Sequence, residues 1–437
     1  MTAATAPAPA STNGLTNGSN GHAVDVQPHR VLVVGGAYAG VAAILGLLNG
    51  LDGNPVRPVY GDFKSDVPNP RPKTPVEITL VDERDGFFHS VGAPLAHVAR
   101  GSVESSWLRY KALWRLKRKE LSIRRGRVRE IRPDALSATF VDYDDDNKEV
   151  TLDYDYLLLA TGSRREWPIV PKANSYRSYV IEAHKHIAGI EVAKSDTVAV
   201  IGGGAVGVEF AGEIKSHHPH NRVILIHSRS ELLSNEPLPS EFKAQTSTML
   251  EEMGVELILG QRANVITEDG FSKITLTDGR VINAGHVFPA TSRYSPNTEC
   301  LPRDAIDENG YVKVTSHMTL KDISNAERHF AAGDICHWSG IKRAGPAMVM
   351  GHVAAANLFN AILKRDDPDV EVEVAEFPEV APMMALAIGS AAITYHPDKG
   401  VFWGPERLAE VFGNDLGWAN TLRFLGLSDP EPSVEAL

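Results

Sequence analysis

The sequence predicts an α/β protein built from two copies of one strand–glycine turn–helix unit, closed by a small α+β segment. Three observations predict it. The run Val31-Leu32-Val33-Val34 leads into Gly35-Gly36-Ala37-Tyr38-Ala39-Gly40 and a helix-like stretch to Leu48. The same order returns at Val198-Ala199-Val200-Ile201, Gly202-Gly203-Gly204-Ala205-Val206-Gly207 and the helical start from Val208 to Lys215. Each copy then continues through a second strand and an acidic turn to a third apolar run ending in Ala-Thr, at Ala160-Thr161 and Ala290-Thr291. Continuous apolar runs of this length are what strands buried on both faces of a parallel sheet require.

Composition bounds the rest. The 437 residues are 43% hydrophobic and 23% charged, which is globular and long enough for two or three domains. The net charge of −11 counts against a nucleic-acid partner, which wants a basic face. The two cysteines, Cys300 and Cys336, exclude a disulfide scaffold and a Cys-rich zinc or iron–sulfur site. No histidine shows ligand spacing, so no metal is expected.

Residues 1–28 are rich in Ala, Thr, Ser, Asn, Pro and Gly, with neither the apolar core of a signal peptide nor an Arg-rich presequence face. They read as a disordered tail. Thr2 follows Met1, so the myristoylation pattern is missing, and a cytoplasmic protein is expected. The second strand of the first copy is Val76 to Val81. Before it, Asn49 to Pro75 has no periodicity and reads as a surface insertion. Short strands are expected around Asp144-Asp145-Asp146-Asn147, then Tyr156 to Gly162. In the second copy the corresponding pieces are Arg222 to Ile226, the turn at Thr277-Asp278-Gly279-Arg280, and His286 to Ser292. Phe330-Ala331-Ala332-Gly333-Asp334 follows as a short strand ending in a turn, then a helix from Ala347 to Leu363.

The glycine spacing carries chemistry. The first glycine permits a tight turn, the second lets the backbone approach a pyrophosphate, and the third lets the helix pack on the strand. The helix N-terminus offers free N–H groups to the phosphates. Gly202, Gly204 and Gly207 meet the full spacing. Gly35 and Gly40 fit in the first copy, with Gly36 beside them, but Ala37 takes the middle place and sets the pyrophosphate slightly back. Asp82, ending the second strand, is placed to grip ribose hydroxyls. The second copy offers His227, Ser228 and Arg229 there instead. Arg229 can pair with a 2′-phosphate, or His227 and Ser228 can bond a 2′-hydroxyl; NADH and NADPH both stay open.

Together these features resemble the two-dinucleotide-binding-domain flavoproteins. Within that group the chain is most similar to the AIF/AMID-like (ferroptosis suppressor protein-like) FAD/NAD(P)-dependent oxidoreductases, related to type II NADH dehydrogenases. Phe87-Phe88-His89-Ser90-Val91, Gly202 to Glu209, Leu225-Ile226-His227-Ser228, and Lys342 ahead of a helix ending Ala356-Asn357 carry the likeness. The resemblance implies two Rossmann-like domains, an FAD domain with an NAD(P) domain inserted in it. It assigns 29–163 and 286–365 to FAD, 164–285 to NAD(P)H, and 366–437 to a C-terminal interface segment.

It also implies site residues. Ala160, Thr161, Gly162, Gly333 and Asp334 join the first glycine turn around FAD, with Asp334 beside the sugar chain and His89 near the ring or packed in the core. Glu209 sits at the nicotinamide–flavin junction, to orient cofactor or relay a proton, or else serves the helix dipole. Lys342 stabilises reduced flavin by its positive charge or is simply solvated. Departures from the pattern are Ala37, Ser292 in place of a glycine, the insertion and the missing myristoylation signal.

Disulfide reductases of this architecture relay electrons through a nearby cysteine pair. Cys300 and Cys336 form none, and Cys336 reads as a buried small hydrophobe. Electrons must leave the flavin directly, to a quinone, a one-electron carrier or oxygen. In the C-terminal segment, Val380 to Tyr395 reads as two buried strands about Gly389-Ser390. Leu408, Val411, Phe412, Ala419, Leu422 and Leu425 recur at near-helical spacing, as in a core-facing helix. The resemblance leaves a homodimer and peripheral membrane contact open there. The expected function is hydride transfer from NAD(P)H to FAD and on to a quinone-like acceptor. The alternatives are a pathway-specific flavin oxidoreductase on a small organic substrate and an AIF-like NAD(P)H-binding redox sensor.

Overall fold

The computed structural model describes residues 27–56, 70–165, 167–193, 197–268, 270–291 and 295–428. The expected tail over residues 1–26, and the part of the insertion at 57–69, lie outside the described residues.

Strand β1 (His29–Val34) is buried except at Arg30, as a central strand of a parallel sheet requires. Helix α1 (Tyr38–Leu51) follows, then β2 (Val76–Asp82), β3 (Leu121–Arg132), β4 (Ser137–Asp142), β5 (Lys148–Asp153) and β6 (Tyr156–Leu159). Helix α2 (Tyr176–Val192) leads to a second set: β7 (Thr197–Ile201), α3 (Ala205–His217), β8 (Arg222–Ile226), α4 (Ser240–Glu252), β9 (Val255–Ile258) and β10 (His286–Pro289). The chain then returns through β11 (His329–Ala331) and α5 (Ala344–Asp366).

The first sheet has the order β11-β6-β1-β2-β3-β4-β5, with β3 to β5 antiparallel and the rest parallel. The second has the order β9-β8-β7-β10, all parallel. In each, the strand before the glycine turn lies between the next strand and the third. That is the switch point at which α/β sheets open a crevice for ligands. The acidic turns fall where expected: Asp146 and Asn147 take left-handed backbone between β4 and β5, and 277–280 joins strands Phe271–Leu276 and Val281–Ala284.

Three expectations are corrected. The boundary placed at 286 falls after Pro289, because β10 pairs in register with β7 in the second sheet. The C-terminal helical stripe is two helices, α6 (Pro405–Val411) and α7 (Trp418–Leu425), broken at Gly413 and Gly417, both at positive φ. The first helix runs on to Leu51, so its last turn absorbs the start of the expected insertion. Before these helices, β12 (Met384–Ile388), β13 (Ala391–His396) and β14 (Gly400–Gly404) form an antiparallel sheet that packs on α3.

Helix α5 is long and apolar enough by composition to cross a membrane, yet most of it is buried against α1. Small residues allow the close approach: a Cβ added at Gly351 would lie 2.3 Å from the carbonyl oxygen of Ala39, and one at Gly50 would meet the Phe359 ring at 2.8 Å.

Three histidines meet where α2, β10 and the short helix Ala93–Ala96 come together, His97 and His186 buried and His286 half-buried. The ring centroids of His97 and His186 are 6.0 Å apart, and those of His186 and His286 4.7 Å. The Trp167 ring packs edge-on against both His97 and His186. Their Nε2 atoms have no hydrogen-bond partner among the described residues. Burial pushes His97 and His286 down to about 4 and His186 to about 2, the last also repelled by the other two. The folded rings stay neutral where the unfolded chain takes up protons. Stability is therefore full above pH ~6.5 and lost as pH falls toward ~4, by up to about 1.4 kcal/mol per unit for each histidine. Thermal unfolding across that window should show this slope, and His186→Phe should flatten it by about a third. An unchanged slope would remove the cluster as its cause.

Candidate functional site

The two glycine turns repeat each other contact for contact. Gly35, at φ +95°, donates its N–H to Val81, and Gly202, at φ +119°, donates to Ile226. A Cβ on either would lie 2.4 Å from a carbonyl oxygen, that of Ala160 or of Ala290. Only glycine fits both the conformation and the space. At Gly40 and Gly207 an added Cβ would fall 1.8 Å from the carbonyl oxygen of the first turn residue, so these two positions close the turn onto the helix.

The middle positions differ as expected. Gly204 caps α3 with open space around it, and the exposed Ala37 caps α1 with its methyl. Neither helix start has a side-chain cap, which leaves first-turn N–H groups for an anion. Gly36 makes contacts within the turn. Its N–H donates to Asp82 Oδ2 at 2.6 Å, and its carbonyl accepts the Tyr110 hydroxyl at 2.8 Å.

The repeat explains His227. Asp82 accepts the N–H of Gly36; His227 Nδ1 accepts the N–H of Gly203 at 3.0 Å, from the same place in the second copy. His227 Nε2 is 3.2 Å from the Ser234 hydroxyl, and burial together with the nearby Arg229 charge holds the ring below its usual pKa. A neutral ring with both nitrogens engaged braces the turn, so the ribose position is left to Ser228 and Arg229, which are exposed. Desolvation raises Asp82, against the pull of Arg84 and the amides of Arg84 and Gly36. The Nε atoms of Arg84 and of Arg125, the register partner of Asp82, are buried and have no hydrogen-bond partner among the described residues. Unmet donors around a half-buried carboxylate suit the adenosine end of a dinucleotide.

Asp334 ends the turn after β11. Gly333 lies against Ala39, so the carboxylate stands beside the start of α1. Ala160 donates its N–H to Val34, the Thr161 hydroxyl donates to the Asn297 carbonyl at 2.6 Å, and Gly162 faces open space at φ +65°. These groups, with Gly35, Ala37 and Gly40, surround one end of the first sheet and fit FAD. Gly202, Gly204 and Gly207 repeat the arrangement on the second and fit NAD(P)H.

Glu209 is half-buried on α3. Burial and Glu213 push its carboxyl up to about 8, against the pull of the Ala387 amide of β12 and the charge of Arg165. A carboxyl raised that far holds its proton at neutral pH, as a proton-donating group must. Lys342 is half-buried. Its Nζ donates to the Cys336 carbonyl at 2.5 Å and lies 5.1 Å over the Tyr311 ring, and burial lowers its pKa. It braces the turn that follows Asp334. His89 takes the second of its two expected places, packed in the core. Its Nδ1 meets the Tyr38 hydroxyl at 2.9 Å, its Nε2 the Leu416 carbonyl at 3.1 Å, and its ring stacks on Trp418. Burial holds it near 4. It packs the C-terminal helix α7 onto the first unit and presents no free nitrogen to a ligand.

Sequence reasoning missed Arg165, whose guanidinium is 3.5 Å from Asp334. The signal was a cation three residues beyond Gly162, in the leg that crosses between the units. It also missed Tyr38 and the Ala387 amide, which only the folded chain brings to the site.

Residues 29–351 match the family described as pyridine nucleotide-disulphide oxidoreductase. The chain belongs to that family. It is 40% identical over 423 residues to oxidoreductase OXR1 of Ajellomyces capsulatus, covering 94% of this chain and 90% of the relative. It is 27% identical over 355 residues to ferroptosis suppressor protein 1 of Homo sapiens, covering 77% of this chain and 81% of that one. Among solved structures, NDH2 of Plasmodium falciparum matches with a TM-score of 0.62 at 13% identity, covering 92% of this chain and 97% of that one. The resemblance to the ferroptosis suppressor group is thereby shown, and so is the fold. The protein is a flavin oxidoreductase whose cofactors are FAD and NAD(P)H. Cys300 and Cys336 are both free, and burial raises their thiols to about 11 and about 12, so neither supplies the thiolate of a disulfide relay.

Proposed function

We propose that this oxidoreductase passes two electrons from NAD(P)H to a quinone-type acceptor with FAD between them. The observation that carries the reading is the absence of a cysteine pair in a chain of this family. With both thiols held neutral, electrons have no protein carrier and must pass from flavin to acceptor directly. When bound, FAD would supply the hydride-accepting and electron-donating chemistry.

The protein positions and protonates. Gly35, Ala37, Gly40, Ala160 to Gly162 and Asp334 hold FAD; Gly202, Gly204, Gly207, Ser228 and Arg229 hold NAD(P)H. A quinone that takes two electrons also takes two protons: one arrives with the hydride that NAD(P)H gives up, and Glu209 supplies the other. A cytoplasmic location with peripheral membrane contact belongs to the same proposal, as does a homodimer formed through 366–437. The exposure of Phe402 and Trp403 on the outer strand β14 supports that surface.

Anaerobic stopped-flow on the flavin-loaded protein tests the reading. NADH or NADPH should bleach the flavin within the turnover time, and a quinone in a second mix should restore the colour. Bleaching without recolouring by quinone would point to another acceptor, including the small organic substrate of a pathway-specific enzyme. Slow bleaching with a persistent long-wavelength band would indicate a redox sensor. The same experiment ranks the nucleotides. The exposed Arg229 can pair with a 2′-phosphate, so Arg229→Ala should cost NADPH roughly tenfold or more in apparent affinity and leave NADH nearly unchanged. Equal losses for both would remove Arg229 as the discriminating group.

A further inference from the structure

The C-terminal segment reaches both glycine-turn helices: β12 packs on α3, and α7 packs on α1. Helix α7 is tied near both ends of α1. At the far end, Arg115 donates to the Gly426 carbonyl at 3.2 Å and to the Asn49 side chain at 2.7 Å. At the start, the Phe87 ring meets Trp418 and Tyr38 edge-on, with centroids 5.2 Å and 4.9 Å away. Between Tyr38 and α7 stands His89, and its partners fix the direction of its hydrogen bonds. The Leu416 carbonyl can only accept, so the ring proton is on Nε2. The ring is neutral, so Nδ1 is bare and accepts the Tyr38 O–H at 2.9 Å. The Tyr38 oxygen accepts the Val91 N–H at 3.1 Å. A chain of bonds thus runs from the first residue of α1 to the turn before α7. That turn is strained. Gly413, Leu416 and Gly417 take positive φ, and Leu416, at +51°, pays for its Cβ there. Its bond to His89 and the burial of its side chain with Leu95, Ala387 and Phe412 hold it in place.

We propose that α7 is a flavin-retaining clamp: His89 couples its docking to the first turn of α1, so FAD is held tightly only while α7 is seated, and FAD in turn holds α7 down. This rests on the reading of the first glycine turn as the FAD site and is independent of the acceptor. The first turn of α1 has no side-chain cap, and Tyr38 is the residue that pins it from the side. An anion on the free N–H groups orders the same turn from the front. A coupling of this kind is reciprocal: what tightens one site tightens the other.

Hydrogen exchange on the full chain with and without FAD is the test, with FAD release followed by flavin fluorescence. FAD should slow exchange in 38–42 and in 412–426 together. Two variants divide His89. Asparagine keeps an acceptor near the place of Nδ1 for Tyr38 but does not reach Leu416. Glutamine keeps an N–H near the place of Nε2 for Leu416 but offers Tyr38 no acceptor. A clamp needs both bonds. His89→Asn and His89→Gln should therefore each speed FAD release about three- to tenfold, and each should remove the protection that FAD gives 412–426. Tyr38→Phe keeps the ring against Phe87 and should repeat the glutamine result; it serves as the test should the His89 variants not accumulate folded. Protection of 38–42 alone in the native protein would overturn the clamp and leave FAD at the first turn. Protection of neither would overturn that placing of FAD, and the clamp with it. A native rate of FAD release from His89→Asn, with 412–426 exchanging freely, would overturn the clamp as mere packing.

Discussion

Asp334→Ala should purify as a folded but largely colourless protein. The carboxylate stands at the end of β11 with Gly333 pressed against Ala39, beside the helix start where the pyrophosphate would lie. Hydrogen bonds to a charged carboxylate contribute about 1.5–3 kcal/mol each, so losing one costs roughly ten- to a hundredfold in FAD affinity. The variant also leaves the Arg165 guanidinium without the carboxylate it pairs with at 3.5 Å, which adds to the loss. Asp334→Asn keeps the shape and some acceptor capacity and should fall between. The ratio of flavin to protein absorbance after purification, followed by an FAD titration, measures both. Near-full occupancy in Asp334→Ala would remove this residue from the cofactor site.

The order of elements was legible because each strand and turn had a local signature. Val31 to Val34 and Val198 to Ile201 announce buried parallel strands, and the glycines behind them are required by contacts as close as 1.8 Å within the turn itself. What occupies the end of the second strand was legible as a position, and its identity could be read. Its use could not. His227 is an obvious candidate for a ribose contact until its Nδ1 is seen to accept the Gly203 amide, the task Asp82 performs in the first copy. The structural equivalence of a carboxylate and an imidazole lies in where their lone pairs point, which no spacing reveals.

The partners of Lys342 and His89 could not be read for a related reason. A long flexible amine and a buried ring can each turn to several partners, and the partners here, the Cys336 and Leu416 carbonyls, belong to backbone whose course is set by packing. Arg165 was missed because its partner lies across 169 residues of chain and its own neighbourhood, Ser163 to Arg165, reads as an ordinary linker. The break between α6 and α7 was hidden for the opposite reason: apolar residues at helical spacing continue across it, and the two glycines that end one helix and start the next were outweighed.

Glu209→Gln should keep FAD and lose turnover. The carboxyl is pushed up to about 8 mainly by burial, with Glu213 adding to the shift and the Ala387 amide and Arg165 opposing it. Near neutrality most of it carries a proton that it can give. Glutamine preserves the shape and the hydrogen-bonding of the neutral acid but has no proton to transfer. General acid catalysis of this kind is worth about 10²–10⁴-fold, so acceptor turnover should fall by that order while the flavin content stays unchanged. The native rate should decline as pH rises through about 8, and the variant should show no such limb. A second reading separates chemistry from packing. Between pH ~4.5 and ~8 the unfolded chain has released this proton and the folded chain has not, so the native protein loses stability as pH rises across that window. Glutamine removes that term, and the variant should melt higher than the native protein at pH 8 even as its turnover falls. Lower turnover together with higher thermal stability is what a buried acid kept for its proton predicts; unchanged rates in both half-reactions would return Glu209 to the helix dipole.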